Sequence, residues 1–245
     1  IRSKIDLTDR MQDWAAGRLE GLAQEGLCGF IFKSRSPSSG MAAVKVYGAS
    51  GPAVKRGVGI FAGAFMRRFP LIPCEEEGRM NDPILRENFI ERIFVYGRWR
   101  EMERRGTAVK DLIAFHRDHK LLILSHSPKH AAALGRLLAD PDRSDLGRLK
   151  EAYFGLLMDG LRLTATVRKQ TNVLQHMAGY FKKRLTADEK RELGEVIGNY
   201  HRGLVPLVVP ITLIGHYVRL YDEPYLKGQV YLTPHPLELM LRNHP

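Results

Sequence analysis

Cysteine is scarce in this 245-residue chain: Cys28 and Cys74 are the only two. Two cysteines cannot build a disulfide framework, and their rarity points to a reducing compartment, so a cytoplasmic location is expected. No secretory or transit pattern is visible at the start of the sequence. Long apolar runs are missing too. The longest, Leu204 to Gly215, is too short to span a bilayer and contains Pro206 and Pro210, so no membrane partner is expected. Histidine is absent from the first 115 residues. No Walker loop, GxGxxG or His-Glu-x-x-His pattern occurs, which removes the phosphate-cradling and zinc-protease readings.

What the chain has in excess is positive charge. It carries 38 Lys and Arg against 27 Asp and Glu, a net charge of +11. A basic surface attracts polyanions, nucleic acid first and anionic lipid second. The excess is spread over the whole length, with +5 on residues 1–106 and +6 on residues 107–245, so a binding surface has to be assembled by folding. An apolar fraction of 44% is that of a globular protein, which argues against disorder.

The onset of histidines and the Arg105-Gly106-Thr107 junction place a domain boundary near residue 107. The fold class expected is α+β: a partial α/β domain with an incomplete parallel sheet over 1–106, then an all-α domain over 107–245. In the first part, Met11, Trp14, Ala15, Leu19 and Leu22 recur at helical spacing behind a cap at Asp6 or Thr8, with Gly26 as the stop. Leu27 to Phe32 reads as a buried parallel strand. It runs into the turn-rich loop Lys33 to Gly40, at the carboxyl end of a strand where ligands of open sheets bind. Val44 to Tyr47 reads as a strand or hairpin arm, Val58 to Phe69 as a helix, and Leu71 to Pro73 as a further strand. Glu75-Glu76-Glu77 reads as a surface loop, and Asp82-Pro83 as a cap and first-turn proline. No βαβ unit opens the sheet, and the chain starts without methionine, so an upstream half is expected.

The second part reads as helix throughout: Val109 to Ser125, a helix opened by Ser127-Pro128 and ended before Asp140-Pro141, Leu146 to Leu161, and Thr164 to Leu185. A helix opened by the capping box Thr186 to Glu189 follows. The last long one, Leu204 to Tyr221, is expected to kink at Pro210.

Chemistry concentrates in three places. The hydroxyl-rich loop suits an anion or polar group, and Ser36 is its best proton-handling candidate because Pro37 fixes the turn. His116, His119 and Lys120 share a helix face, and His126 and His130 flank Pro128. No carboxylate or cysteine is in step with them, so no metal is expected, and recognition of phosphate or base edges is the reading for His119, Lys120, His126 and Lys129. Lys169, His176 and Lys183 lie seven apart along one stripe. With Asn172 and Lys182, and with Tyr180 and Phe181 as stacking surface, they form a candidate RNA-backbone binder.

The loop Gly29-Phe30-Ile31-Phe32-Lys33-Ser34-Arg35-Ser36-Pro37-Ser38-Ser39-Gly40, followed by Val44-Lys45-Val46-Tyr47, resembles the second half of the thiouracil desulfidase family. Three further stretches resemble the YbgA-like domain of unknown function. They are Phe115-His116-Arg117-Asp118-His119-Lys120 with Ser125 to Lys129, Asn172 to Lys182, and Pro206 to Thr212. Fusions of the two are similar to bacterial desulfidases acting on 4-thiouridine in tRNA.

The resemblance implies a four-iron, four-sulfur cluster on three cysteines, whose open iron takes the substrate's sulfur while water replaces it at carbon. Ser36 matches the family's serine. Ser39 stands where the third cluster cysteine falls, and a hydroxyl oxygen is a hard, poor substitute for thiolate at iron. The cluster is therefore expected in the full-length family and not in this chain.

The resulting expectation is a piece of an iron-sulfur desulfidase whose helical domain binds tRNA or another RNA, with the thiobase flipped toward the serine loop. Two alternatives stand beside it. One is a non-catalytic nucleic-acid or protein-interaction module. The other is a different enzyme in the helical domain built on His119, Lys120, His126 and His176.

Overall fold

The computed structural model describes residues 5–47, 54–139 and 145–243. They divide into two compact units, residues 1–89 and 90–245. The fold is α+β, with short two-stranded ladders among helices in the first unit and helices alone as regular elements in the described part of the second.

In the first unit, α1 (Thr8–Gln24) buries Ala15, Leu19 and Leu22, one stripe at helical spacing. Asp6 accepts from the Thr8 N–H at its start (2.9 Å), and Gly26, at φ +72°, turns the chain out of its end. Strand β1 (Phe30–Phe32) leads into the hydroxyl loop, and a hairpin of β2 (Val44–Val46) and β3 (Val54–Gly57) follows. Helix α2 (Ile60–Arg68) packs on α1 and ends on Arg67 and Arg68, cations at the negative end of its dipole.

The expected strand at Leu71 to Pro73 forms slightly later, as β4 (Cys74–Glu76). It is parallel to β1, with Phe30 opposite Cys74 and Phe32 opposite Glu76. The reason is that Pro73 has no N–H to give a ladder, whereas its carbonyl accepts from Phe30 (2.9 Å). Phe30, Phe32, Phe61 and Phe65 form the core, with ring centroids 4.5–6.3 Å apart. Each fully buried ring contributes about 2–3 kcal/mol of hydrophobic stabilisation.

Helix α3 (Pro83–Arg104) opens as expected, with Asp82 Oδ1 accepting from the Ile84 and Leu85 N–H groups (2.9 and 3.1 Å). The division between the units falls within it. Its second half anchors the helical unit through Trp99, stacked on Tyr153 and Phe154 and edge-on to Phe115.

Helix α4 (Val109–His126) and α5 (Pro128–Ala139) meet at Ser127, whose Oγ accepts from the His130 N–H (3.3 Å). Asp140-Pro141 lies outside the described residues. Helix α6 (Leu146–Leu161) follows. Helix α7 (Val167–Tyr180) is shorter than the expected Thr164–Leu185, because Thr166 caps its start and Phe181, 0% exposed, turns into the core at its end.

Helix α8 (Ala187–His201) carries the expected capping box of Thr186 and Glu189. Helix α9 (Val208–Leu220) starts later than expected, which places Pro210 in its first turn rather than its interior. That proline is the third helical residue, where its missing N–H interrupts no helical bond. A short α10 (Pro224–Lys227) and two single turns finish the unit. Among the described residues no helix is long and apolar enough to cross a membrane.

Candidate functional site

The hydroxyl loop is closed on itself. The Gly40 N–H donates to the Ser36 carbonyl (2.8 Å). Ser36 Oγ accepts from the Ser38 and Ser39 N–H groups (3.3 Å each) and lies 3.0 Å from Ser38 Oγ. The first N–H groups of α2 are capped by this loop: Ile60 donates to the Pro37 carbonyl, and Phe61 and Ala62 to that of Ser38. Gly59 is required by the approach, since a Cβ there would sit 2.5 Å from the Ser38 carbonyl carbon and oxygen.

The acidic run is not the surface loop expected of it. Glu77 accepts from the Ser34 N–H (2.7 Å) and Glu76 from the Met41 N–H (2.8 Å), so adjacent carboxylates hold both ends of the hydroxyl loop. Glu75 pairs with Arg79 (2.7 Å). The loop N–H groups of Ser34, Ser38, Ser39, Gly40 and Met41 are thus spent on internal acceptors and do not form a cradle for an anion. Ser36 is half-buried, and its hydrogen-bond partners all come from the loop itself.

The implied cluster needs three thiolates. Ser39 supplies an oxygen in place of a thiolate, and the thiols of Cys28 and Cys74 point back to the carbonyls of Gly26 (3.7 Å) and Ile72 (3.4 Å). Two cysteines cannot supply three thiolates. The residues present do not fit a four-iron, four-sulfur group.

In the helical unit the predicted residues separate into an interior set and a surface set. His119 is 3% exposed, stacked on Phe115 at 3.9 Å. Its Nδ1 donates to the Phe115 carbonyl (2.8 Å), which leaves Nε2 as a bare acceptor without a partner. Burial pushes this imidazole down to about 4. His116 is lowered by burial and by the Lys120 charge, and its Nδ1 meets the Tyr153 hydroxyl (3.1 Å).

His126 is 1% exposed, with Nδ1 at 2.7 Å from the Leu163 carbonyl and Nε2 at 3.0 Å from Glu91. Glu91 also receives Arg242 (2.9 Å), which in turn donates to the Tyr231 carbonyl (2.6 Å). Burial opposes ionisation of Glu91, but the His126 hydrogen bond and the Arg242 charge outweigh it and hold the carboxyl well below its ordinary range.

Lys169 is turned inward at its tip, its ammonium donating to the carbonyls of His126 (2.7 Å) and Thr164 (3.0 Å). Sequence reasoning missed Glu91, Arg242 and His235. His235 is 6% exposed, and its Nε2 has no hydrogen-bond partner. Only an acidic residue amid the apolar positions of α3 hinted at this interior network.

Lys120, Lys129, Asn172, His176, Lys182 and Lys183 are exposed. Lys183 follows the end of α7, so the stripe expected through it is carried by a turn rather than by the helix. Tyr180 is 38% exposed and stacks on Tyr225, whereas Phe181 is core. The enzyme reading built on His119, Lys120, His126 and His176 finds two of its residues buried and two exposed, so the four do not share one environment. A groove of about 280 Å³ between α7 and α8 includes Lys182 but none of those four.

Residues 1–77 match the family described as 2-thiouracil desulfurase, and residues 120–236 match the protein of unknown function DUF1722. The uncharacterized protein YbgA of Escherichia coli (strain K12) is 32% identical over 153 residues, which are 62% of this chain and 90% of that relative. No solved structure matches.

Proposed function

This chain belongs to the YbgA family, and on that premise we propose that it is the RNA-gripping part of a desulfurase, with residues 107–245 binding tRNA and the serine loop attending a thiolated uracil or 4-thiouridine. The observation that carries the reading is the presence, in one basic chain, of a desulfurase-like region over 1–77 and a helical region over 120–236. The exposed Lys120, Lys129, Asn172, His176, Lys182 and Lys183 are the RNA contacts in this reading. His119 and His126 are buried and the Lys169 ammonium is held by two carbonyls, so these three are not among the contacts. Ser36 is the hydroxyl that handles a proton, oriented by the two N–H groups that point at its oxygen.

A second reading is favoured by the donor set around Ser39: a non-catalytic RNA or protein-interaction module. Two measurements on the full chain separate the readings. The first is tRNA affinity across a salt series. The four lysines on single-stranded backbone predict a log–log slope of about −3, and salt-insensitive or undetectable binding overturns the RNA claim. The second is iron and sulfide content after purification without oxygen. An iron-free chain that binds tRNA favours the module, and stoichiometric iron favours the desulfurase.

A further inference from the structure

We propose that the stacked pair Tyr180–Tyr225 is a seat for an unpaired nucleobase, so that the helical unit selects single-stranded loops over duplex RNA. This rests on the RNA reading above and gives it a recognition element.

The pair is built by two elements far apart in sequence. Tyr180 is the last residue of α7 and Tyr225 lies in α10, and their rings sit 5.2 Å apart at 12°, an offset stack. The neighbouring aromatic, Phe181, fills the core at 0% exposure beside Tyr217 and Tyr221, so Tyr180 is not needed there. At 38% exposure it is an aromatic left in solvent on a strongly basic chain.

Its surroundings suit a base rather than an apolar peptide. Asn172, His176 and Tyr180 recur every fourth residue along one edge of α7, and all three are exposed. They offer an amide, an imidazole and a ring face in a row. The His176 ring stands edge-on to Tyr180 (5.8 Å, 82°), which fixes the tilt of the platform. Beyond Tyr180 come Lys182 and Lys183, exposed and with no ion pair among the described residues, as phosphate contacts. On the other side, Tyr225 lies within the field of Arg117 and Asp118, and the Arg117 carbonyl is pinned by Gln229 (2.7 Å). Bases inside an A-form duplex are already stacked and cannot reach such a ring, whereas an unpaired base stacks on it whatever its identity.

The test uses the full chain with two probes of equal charge, an RNA hairpin with an unpaired loop and a blunt RNA duplex. Tyr180→Ala is expected to weaken hairpin binding about 10- to 100-fold, the range of one lost base stack, and to leave duplex binding unchanged. Tyr180→Phe keeps wild-type affinity for both. Lys182→Ala with Lys183→Ala weakens both probes alike and flattens the salt slope.

A reading that needs no variant is fluorescence of 2-aminopurine placed in the hairpin loop, which is expected to be quenched on binding. Unchanged hairpin affinity in Tyr180→Ala, equal loss on hairpin and duplex, or absent quenching overturns the base seat while leaving RNA binding intact. Failure of the wild-type chain to bind either probe overturns the RNA reading itself.

Discussion

His119 is the sharpest probe of the helical core. It lies in the fold with a bare Nε2 and titrates near 4, against 6.5 for an ordinary histidine. Between those values the unfolded chain takes up a proton that the folded one refuses. The unfolded state therefore binds more protons, and stability rises with pH. The contribution is intact above pH 6.5, falls away as pH drops, and is lost in full below the folded value of about 4. The full loss is about 3 kcal/mol, and about 2 kcal/mol of it falls between pH 7 and pH 5.

The assay is denaturant unfolding followed by Trp99 fluorescence in a Trp14→Phe background, at pH 7 and pH 5, with and without His119→Leu. Leucine keeps an apolar side chain against Phe115 and removes the proton site. The variant is expected to lose about 2 kcal/mol less than wild type on going to pH 5. An equal decline in the two proteins would refute the reasoning.

Three further outcomes follow from the same geometry. Glu91→Gln removes the charge between His126 and Arg242, and breaking a buried pair of this kind costs about 3–5 kcal/mol in denaturant unfolding at pH 7. Because the native Glu91 carboxyl titrates below its unfolded value, the stability it gives is present above the ordinary carboxylate range, begins to fall away as pH drops through that range, and is lost as pH falls through the native value of about 2. The variant should therefore show a flatter acid limb than wild type, and an unchanged limb would contradict the assignment. Gly59→Ala forces a Cβ onto the Ser38 carbonyl, which should destabilise the first unit by about 1–3 kcal/mol in thermal melts. Thr186→Ala removes the cap of α8 and is expected to cost about 1 kcal/mol.

Local signals were legible. Asp82-Pro83, Ser127-Pro128 and Thr186 with Glu189 start helices where their side chains find backbone N–H groups a few residues on. Each is a contact within one turn, so the sequence alone contains both partners. The hydroxyl loop after β1 was legible for the same reason. What stayed hidden are pairings across long separations. Glu77 meets Ser34 from 43 residues away, and Arg242 meets Glu91 from 151. A run of three glutamates reads as solvated until the register of β4 against β1 carries it to the loop.

In sequence His119 shares a face of α4 with the polar His116 and Lys120, whereas in the fold it is buried. It lies one turn from both Phe115 and Leu122, which are buried. A helix starting at Leu204 would carry Pro210 in its interior, where proline kinks; the start at Val208 moves it into the first turn.

The division of the chain within α3 has a practical consequence for dissecting it. A fragment cut at residue 107 would leave Tyr153 and Phe154 facing the void of an absent indole. It would also remove the Glu91 carboxylate on which His126 and Arg242 both rest. The smallest self-sufficient helical piece therefore begins upstream of Glu91 and carries most of α3 with it.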